Sequence, residues 1–394
     1  MGTKAGVGIS RHRDPRQAGE EAVKAAMAQA GLTKCSVAIM YATIGYNQRA
    51  IVSSVRDAAK GAQVFGCSAE GVIAGHEMDE SNFSVAVMVI ESDEIRFTPH
   101  LAPGLKNHPD EVGERLGDKV RSELGDDAIA VMVLADGITL NFDRFNASFE
   151  KALGRRLPLL GGSAGDNFEM KATYQYLDSE VVSDSVLAVL ISGSAKIAWD
   201  VNHGCIPIDV ERKITKARGN KILEIDDKPV LEVLKDYLLP EEIDNWEQTV
   251  VNLCLGFRAP TSIHEDYDRY LIRFMPQRDE VEGSVIIPTE VTEGMSVWMT
   301  RRDQDKILGG CQRIGANLKK ALDGKEPKLV LQFDCAGRGK FVFRDDERSA
   351  SLAMIRDQVS PTAPWLGFFT FGEIGPISGE NCFHNYTAVV AALY

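Results

Sequence analysis

The stretch CSVAIMYAT (Cys35–Thr43) is an unbroken apolar run, the pattern of a strand covered on both faces. What decides the fold is that it returns: DDAIAVMVLADG (Asp126–Gly137) has the same character, and its surroundings return with it. After the first run, Gln48–Lys60 is expected as a helix closed by Gly61, and QVFGCSAEGVIAG (Gln63–Gly75) as a strand entering a Gly-rich turn. FSVAVMVIES (Phe83–Ser92) and EIRFTPHLAP (Glu94–Pro103) are expected as two further strands, paired with each other. After the second run come a helix over Phe142–Leu153, the turn sequence LPLLGGSAGDNF (Leu157–Phe168), and the strands SVLAVLISG (Ser185–Gly193) and KIAWDVNHG (Lys196–Gly204). Gly66 and Gly161 are 95 residues apart, and Ser84 and Ser185 are 101 apart. The spacing predicts an internal duplication of a strand–helix–strand–turn–strand–strand unit, about residues 35–105 and 126–204. The two copies would pack as one domain because each alone leaves an apolar sheet face uncovered.

Working outward, Asp14–Gly31 is Ala-rich with apolar residues at helical spacing, and Gly31 stands where a C-cap belongs. A weaker third echo closes the chain: KLVLQFDCAGRG (Lys328–Gly339), a helix over Glu347–Val359, PWLGFFTFGEIGP (Pro364–Pro376) and FHNYTAVVAALY (Phe383–Tyr394). Between them Lys216–Asp227 is polar, and KPVLEVLKDYL (Lys228–Leu238) reads as a helix with Pro229 tolerated early. The expected architecture is α/β: two mixed-sheet domains, residues 1–204 and 205–394, the first containing the repeat.

The 394 residues suffice for two or three domains, and 44% hydrophobic with 26% charged residues excludes wholesale disorder. A formal charge of −13 repels nucleic acid and anionic membrane, so neither is an expected partner. No apolar run approaches the roughly 18 residues of a membrane span. The N-terminus lacks the apolar core of a secretory signal, and Gly6 stands where a myristoylation site needs Ser or Thr. Seven cysteines with no CxxC argue against disulfide and zinc frameworks and for a reducing cytoplasm.

The chemistry-bearing residues fall in the turns. Gly161-Gly162-Ser163-Ala164-Gly165 matches the GxSxG of a hydrolase nucleophile elbow, but turn and strand follow it where the elbow needs a helix. Its counterpart Gly66-Cys67-Ser68-Ala69-Glu70-Gly71 lacks the last glycine, so backbone geometry explains the pair better than catalysis. The same turns, extended by Asp166 and Asn167, could offer backbone N–H groups to an anion, or could be sharp turns needing positive φ. Cys335 ends an apolar strand: a nucleophile if His384 and Glu373 come near, otherwise a small buried hydrophobe. Arg338 presents a planar fork suited to a carboxylate ligand, or an internal partner for Glu373. Glu373, His384 and Asn385 lie in an apolar C-terminus, where they must bond one another or face a ligand. The histidines show no HxxxH or HExxH spacing, so no metal site is expected; His203 or His384 remains a candidate for a site built from distant residues, haem included.

Taken together and in order, GCSAEG, GGSAGDNF, KARGNKILEIDDKPVLE (Lys216–Glu232), CAGRG, GEIGP and FHNYT resemble the FIST family. The resemblance implies an N-terminal and a C-terminal FIST domain forming a small-molecule sensory module of prokaryotic signal transduction. Amino acids or other carboxylate metabolites are the implied ligands, and some members are haem-based nitric oxide sensors. The FIST pair fills the chain, so the implied output is a separate partner, such as a histidine kinase or a cyclic-dinucleotide enzyme. The resemblance carries no catalytic residues, and no enzyme activity or cofactor is expected from it apart from haem. The expected ligand pocket is Gly66, Cys67, Ser68, Glu70, Gly162, Ser163, Asp166, Asn167, Cys335, Arg338, Glu373, His384 and Asn385, with Arg338 as charge clamp. The rival readings are the haem sensor, a thiol enzyme using Cys335, and a ligand-free docking scaffold like the homologous regions of F-box proteins.

Overall fold

The computed structural model describes residues 2–246, 253–259 and 269–394. Its first run of chain is β1 (Thr3–Ser10), α1 (Pro15–Ala30), β2 (Val37–Thr43), α2 (Gln48–Ala59), β3 (Gln63–Ala69), a hairpin of β4 (Gly71–Ala74) and β5 (Glu77–Asp79), and β6 (Val85–Ser92). The second is β7 (Ile95–Pro103), α3 (Pro109–Ser122), β8 (Ala128–Ala135), α4 (Phe142–Leu153), β9 (Leu159–Ser163), a hairpin of β10 (Gln175–Leu177) and β11 (Glu180–Val182), and β12 (Ser185–Gly193). Then β13 (Ile197–His203) opens a third run that is interrupted.

The interruption is a nine-stranded sheet: β14 (Cys205–Pro207), β15 (Arg212–Arg218), β16 (Lys221–Ile225), β17 (Lys228–Pro229), β18 (Cys254–Arg258), β19 (Tyr270–Arg273), β20 (Gln277–Asp279), β21 (Ser284–Ile286) and β22 (Ser296–Arg302). The short helices α5 (Val230–Lys235) and α6 (Pro240–Asp244) lie within it. The third run resumes with α7 (Gln304–Leu322), β23 (Leu329–Cys335), α8 (Asp345–Val359), β24 (Trp365–Thr370), a hairpin of β25 (Gly372–Ile377) and β26 (Glu380–His384), and β27 (Thr387–Leu393).

Each run builds four strands of a six-stranded sheet, with a parallel pair (β2/β3, β8/β9, β23/β24) at its centre. Each run also gives its hairpin away: β4 pairs with β24, β10 with β3 and β25 with β9. The exchange runs once round a ring, so no sheet is complete without a neighbouring run. Apolar residues from all three sheets, among them Tyr41, Phe65, Met132, Leu134, Phe333 and Phe368, share one core. The other faces are covered by α1/α2, α3/α4 and α7/α8. Cover on both sides is why these strands read as unbroken apolar runs.

The expected boundary at 204/205 falls where the chain leaves β13 for the nine-stranded sheet. It is not a clean division, because β13 pairs along its length with β27, from Ile197 opposite Leu393 to His203 opposite Thr387. The expected pairing of Phe83–Ser92 with Glu94–Pro103 is corrected: β6 has β1 and β2 on its two edges, while β7 pairs with β12 in another sheet. The helix expected over Lys228–Leu238 is shorter, Val230–Lys235, and starts after Pro229.

Two long helices carry no clear sequence signal because glycines interrupt their apolar faces. In α3, a Cβ at Gly113 would lie 2.4 Å from Phe145 O, and one at Gly117 2.6 Å from Phe149 O, so these glycines let α3 lie against α4. Gly66 and Gly161 act the same way inside strands. A Cβ would meet Met40 O at 1.7 Å and Val133 O at 1.9 Å on the adjoining parallel strand. Gly161→Ala is therefore expected to destabilise the fold by about 1–3 kcal/mol or more, as forced overpacking does. A melting temperature equal to wild type would show that the strand pair can yield.

Candidate functional site

The carboxyl ends of the three parallel pairs come together, the place where open α/β sheets put their ligands. The turns that follow β3, β9 and β24 are knitted in a cycle. Glu70 N donates to Phe369 O (3.0 Å), Gly165 N to Ser68 O (3.2 Å) and Phe371 N to Ser163 O (3.1 Å). The hydroxyls follow suit: Ser68 Oγ donates to Gly165 O (2.7 Å), Ser163 Oγ to Gly372 O (3.2 Å) and Thr370 Oγ1 to Glu373 Oε1. Ser163 is the last residue of a strand and its proton is committed to a carbonyl, so the GxSxG match is a piece of this knot.

Two buried acids shape the turn after β9. Glu70 Oε1 accepts from Asp166 N (2.8 Å) and Phe168 N (3.0 Å), and burial pushes its pKa up to about 8. Asp166 in turn accepts from the N–H groups of Met170, Lys171 and Ala172, and burial raises its pKa too. Between these clamps Asn167, Phe168 and Met170 are all held at positive φ (57°, 57° and 52°). Three such residues in one turn store strain that only the surrounding bonds maintain. The result sets the Phe168 ring 4.9 Å from Phe341 and 5.2 Å from Phe371, centre to centre.

Phe168, Phe371 and Tyr386 then line a cleft with Cys335 and Thr370. Its fourth ring is Phe274, the residue that follows β19 of the nine-stranded sheet. The cleft is narrow, with about 20 Å³ of room, enough for a single water. Asn385 ties the two walls: its Oδ1 accepts from Phe274 N (2.9 Å) and its Nδ2 donates to Phe371 O (2.8 Å). Beyond Phe274 and Phe371 a second, more polar cleft, with about 80 Å³ of room, is lined by Thr139, Ser163, Asn220 and Gln277. The loop supplying Thr139 is held by Asp136 Oδ1, which accepts from Ile138 N and Thr139 N, both at 2.9 Å.

Of the residues expected in the pocket, Cys335 lines the aromatic cleft and Ser163 the polar one. Glu373 stands behind Thr370, fully buried, its other oxygen accepting from Thr387 N (3.1 Å); burial holds its pKa well above the usual carboxylate range. Gly66, Cys67 and Gly162 are strand residues, not turn residues; the two glycines pair with Tyr176 and Glu373, so their N–H groups cradle no anion. Asn167 bonds Asn82 at the surface. Arg338 is not a clamp, nor the partner of Glu373. Its Nε donates to buried Asp334 (2.8 Å), Nη1 to Asn202 O and Nη2 to Cys311 Sγ, both at 3.4 Å. His384 is committed through Nε2 to Gly375 O (2.9 Å), and burial lowers its pKa to about 3. His203 accepts from Cys205 N at 3.1 Å, and both histidines are fully buried. Burial, then the nearby Glu373, pushes the Cys335 thiol well above its ordinary value, the reverse of an activated nucleophile. Among the described residues no three His, Cys, Asp or Glu side chains are grouped to hold a metal, and no helix is long and apolar enough to cross a membrane.

The cleft's aromatic rings were not singled out in the sequence. Phe371 and Tyr386 sit inside GEIGP- and FHNYT-bearing stretches already noted, but Phe274 has no local signal and reaches the cleft only through the fold.

Residues 36–228 match the FIST N domain and residues 231–376 the FIST C domain. The chain belongs to the FIST family. FIST domains are associated with sensing in signal transduction. An uncharacterized protein of Mycobacterium tuberculosis is 27% identical over 398 residues, covering 98% of this chain and 99% of its own length. One of Methanocaldococcus jannaschii is 24% identical over 288 residues, covering 70% of this chain and 54% of its own. Among solved structures, a cyanuric acid hydrolase from A. caulinodans shares 11% identity and a TM-score of 0.38 across 100% of this FIST chain and 99% of its own. A chorismatase shares 10% and 0.35, across 91% and 92%.

Proposed function

We propose that this FIST chain is a small-molecule sensing module of the cytoplasm, and that its ligand occupies the aromatic cleft. The observation that carries the reading is that the cleft is walled by both layers of the protein. Phe168, Phe371 and Tyr386 come from the three-sheet body and Phe274 follows β19 of the nine-stranded sheet, with Asn385 bonding across. A ligand there makes contacts that depend on how the two layers lie. Its binding energy therefore favours one arrangement, which is what a sensor needs. The output passes to a separate signalling protein, such as a histidine kinase or a cyclic-dinucleotide enzyme, that distinguishes the two arrangements.

The test is native mass spectrometry of the full chain after incubation with a desalted metabolite extract. A discrete non-covalent adduct is expected, with its occupancy reduced in Phe274→Ala. A bare mass in wild type, or an adduct indifferent to Phe274→Ala, overturns the reading; a haem-sized adduct lost on replacing His203 or His384 would put the haem sensor in its place.

A further inference from the structure

Three cysteines far apart in sequence converge on one face of the nine-stranded sheet. Cys205, Cys254 and Cys335 share a buried cluster with Ile272 and Tyr386, and Cys205 Sγ lies 3.7 Å from Cys254 Sγ. The strand pattern sets this up. Thr300 of β22 pairs with Cys254 of β18 on one edge and with Pro207 of β14 on the other, and Cys205 stands opposite Arg302. Opposed residues, and residues two apart along a strand, point to the same face. Cys205, Cys254, Thr300 and Arg302 therefore share the face that meets Cys335 and Tyr386.

That geometry bars a disulfide and suits a metal. Cys205 and Cys254 flank β22, so two strand spacings of ~4.8 Å separate their backbones, more than the ~7 Å a disulfide can span without backbone movement. A cation between the sulfurs needs no such approach. With two metal–sulfur bonds of ~2.3 Å, a linear S–metal–S unit is about 4.6 Å across, so each sulfur swings outward by less than about 0.5 Å. Zinc closes its structural sites with four ligands, and among the described residues no three His, Cys, Asp or Glu side chains are so grouped. A soft, closed-shell monovalent cation, copper(I) or silver(I), is satisfied by two thiolates, the ligands that select it.

The surroundings balance the charge. Burial opposes ionisation of Cys254, but the bonds from Cys205 and from Thr300 Oγ1 (3.3 Å), with Arg302 nearby, outweigh it and lower the thiol. Burial holds the Cys205 thiol well above its ordinary value. On loading, two S–H bonds break, two metal–sulfur bonds form, both protons leave to solvent and no electron is transferred. The bis-thiolate complex carries one net negative charge beside the Arg302 guanidinium, a charge neighbour of both thiols. Cys335 marks the way in: it shares the cluster and also lines the narrow cleft, where room for one water is room for one bare cation.

We infer that Cys205 and Cys254 form a two-coordinate site for a soft monovalent metal cation that enters past Cys335. The bound metal clasps β14 to β18 across β22, an input to the chain separate from its small-molecule ligand.

In the test, the reduced full chain is titrated without oxygen with copper(I) against the chromogenic chelator bathocuproine disulfonate, and with silver(I), which is redox-inert. One equivalent is expected to bind, with X-ray absorption showing a shell of two sulfurs. Cys205→Ser and Cys254→Ser are each expected to weaken binding by more than about a hundredfold, beyond the cost of losing an outer-shell partner. Cys35→Ser and Cys382→Ser, which lie outside the cluster, are expected to bind as wild type does. Because a buried cysteine can refuse serine, wild type is also read alone: silver(I) is expected to raise its melting temperature, as a ligand of the folded state does, and zinc(II) at the same concentration is not. Binding that survives the double replacement of Cys205 and Cys254, a shell with fewer than two sulfurs, or zinc(II) stabilising the chain as silver(I) does, overturns the inference.

Discussion

Glu70→Gln is expected to flatten part of the pH dependence of stability and to make the protein more stable than wild type above pH 8. The carboxyl is buried, with its pKa raised from 4.5 to about 8, chiefly by desolvation. Between those values the folded state holds a proton that the unfolded state has released. Stability contributed by the neutral acid is thus complete below about pH 4.5 and is lost as pH rises toward 8. At about 1.4 kcal/mol per pKa unit, the loss is on the order of 4–5 kcal/mol. Glutamine keeps an oxygen for the N–H groups of Asp166 and Phe168 and cannot ionise. Its amide would sit where Glu70 Oε2 has no hydrogen-bond partner, a cost of about 1–3 kcal/mol. The curves should therefore cross, wild type being the more stable near pH 5 and Glu70→Gln the more stable near pH 8.5. Urea midpoints across that range read the crossing directly. Other raised acids, Asp200 at about 6 and Glu373 among them, titrate in both proteins and cancel in the difference. Parallel curves would mean that Glu70 ionises freely in the folded protein, and that the Phe168 turn is looser than its bonds suggest.

The turn also shows where sequence reasoning reaches and where it stops. The central strands were legible because each is apolar along its whole length: β2, β8, β12 and β27 fall within the segments read for them. So was the family, since three of its motifs, GCSAEG, GGSAGDNF and GEIGP, lie at the turns that knit the three sheets together. What was not legible is which strand pairs with which. Nothing local in Gly71–Ala74 says that it adds to β24, nearly three hundred residues on, or that β7 joins a different sheet from β6. Exchange of hairpins among runs is a property of the closed ring, not of any one segment. The glycine-bearing helices α3 and α7 were missed for a related reason. A glycine that serves close packing looks, in one dimension, like a helix breaker. The site suffered most. Polar residues in apolar surroundings read as ligand groups, whereas Asp166, Asn385 and Arg338, and Glu70 through its Oε1, bond within the protein and hold aromatic side chains or backbone in place. Burial makes polar groups conspicuous, but it also requires partners for them, and the nearest partners are internal.

Arg338 gives that distinction its hardest test. A carboxylate clamp at the mouth of a pocket could be removed with binding lost and the fold intact. The structure leads to the opposite result for Arg338→Met. Arg338 and Asp334 are 4% and 5% exposed, and the pair ends a chain of buried bonds. Trp365 Nε1 donates to Gln332 Oε1 (2.9 Å), Gln332 Nε2 to Asp334 Oδ2 (2.9 Å), and Arg338 Nε to Asp334 Oδ1 (2.8 Å). Taking away the guanidinium strands a carboxylate in β23, at the centre of the third sheet, and the expected loss of stability is about 3–5 kcal/mol. Most of that is the penalty of an uncompensated charge, not the net worth of the pair. Combining Arg338→Met with Asp334→Asn should accordingly recover more than half of it, since the amide oxygen still accepts from Gln332 while the charge is gone. Chemical denaturation of wild type, both single variants and the double variant closes the cycle. If Arg338→Met unfolds like wild type, and its loss is confined to ligand binding, the ion pair is incidental and the arginine belongs to the pocket. A double variant no better than Arg338→Met would show instead that the contacts of Arg338 with Asn202 O and Cys311, and not its charge, hold the end of β23 against α7.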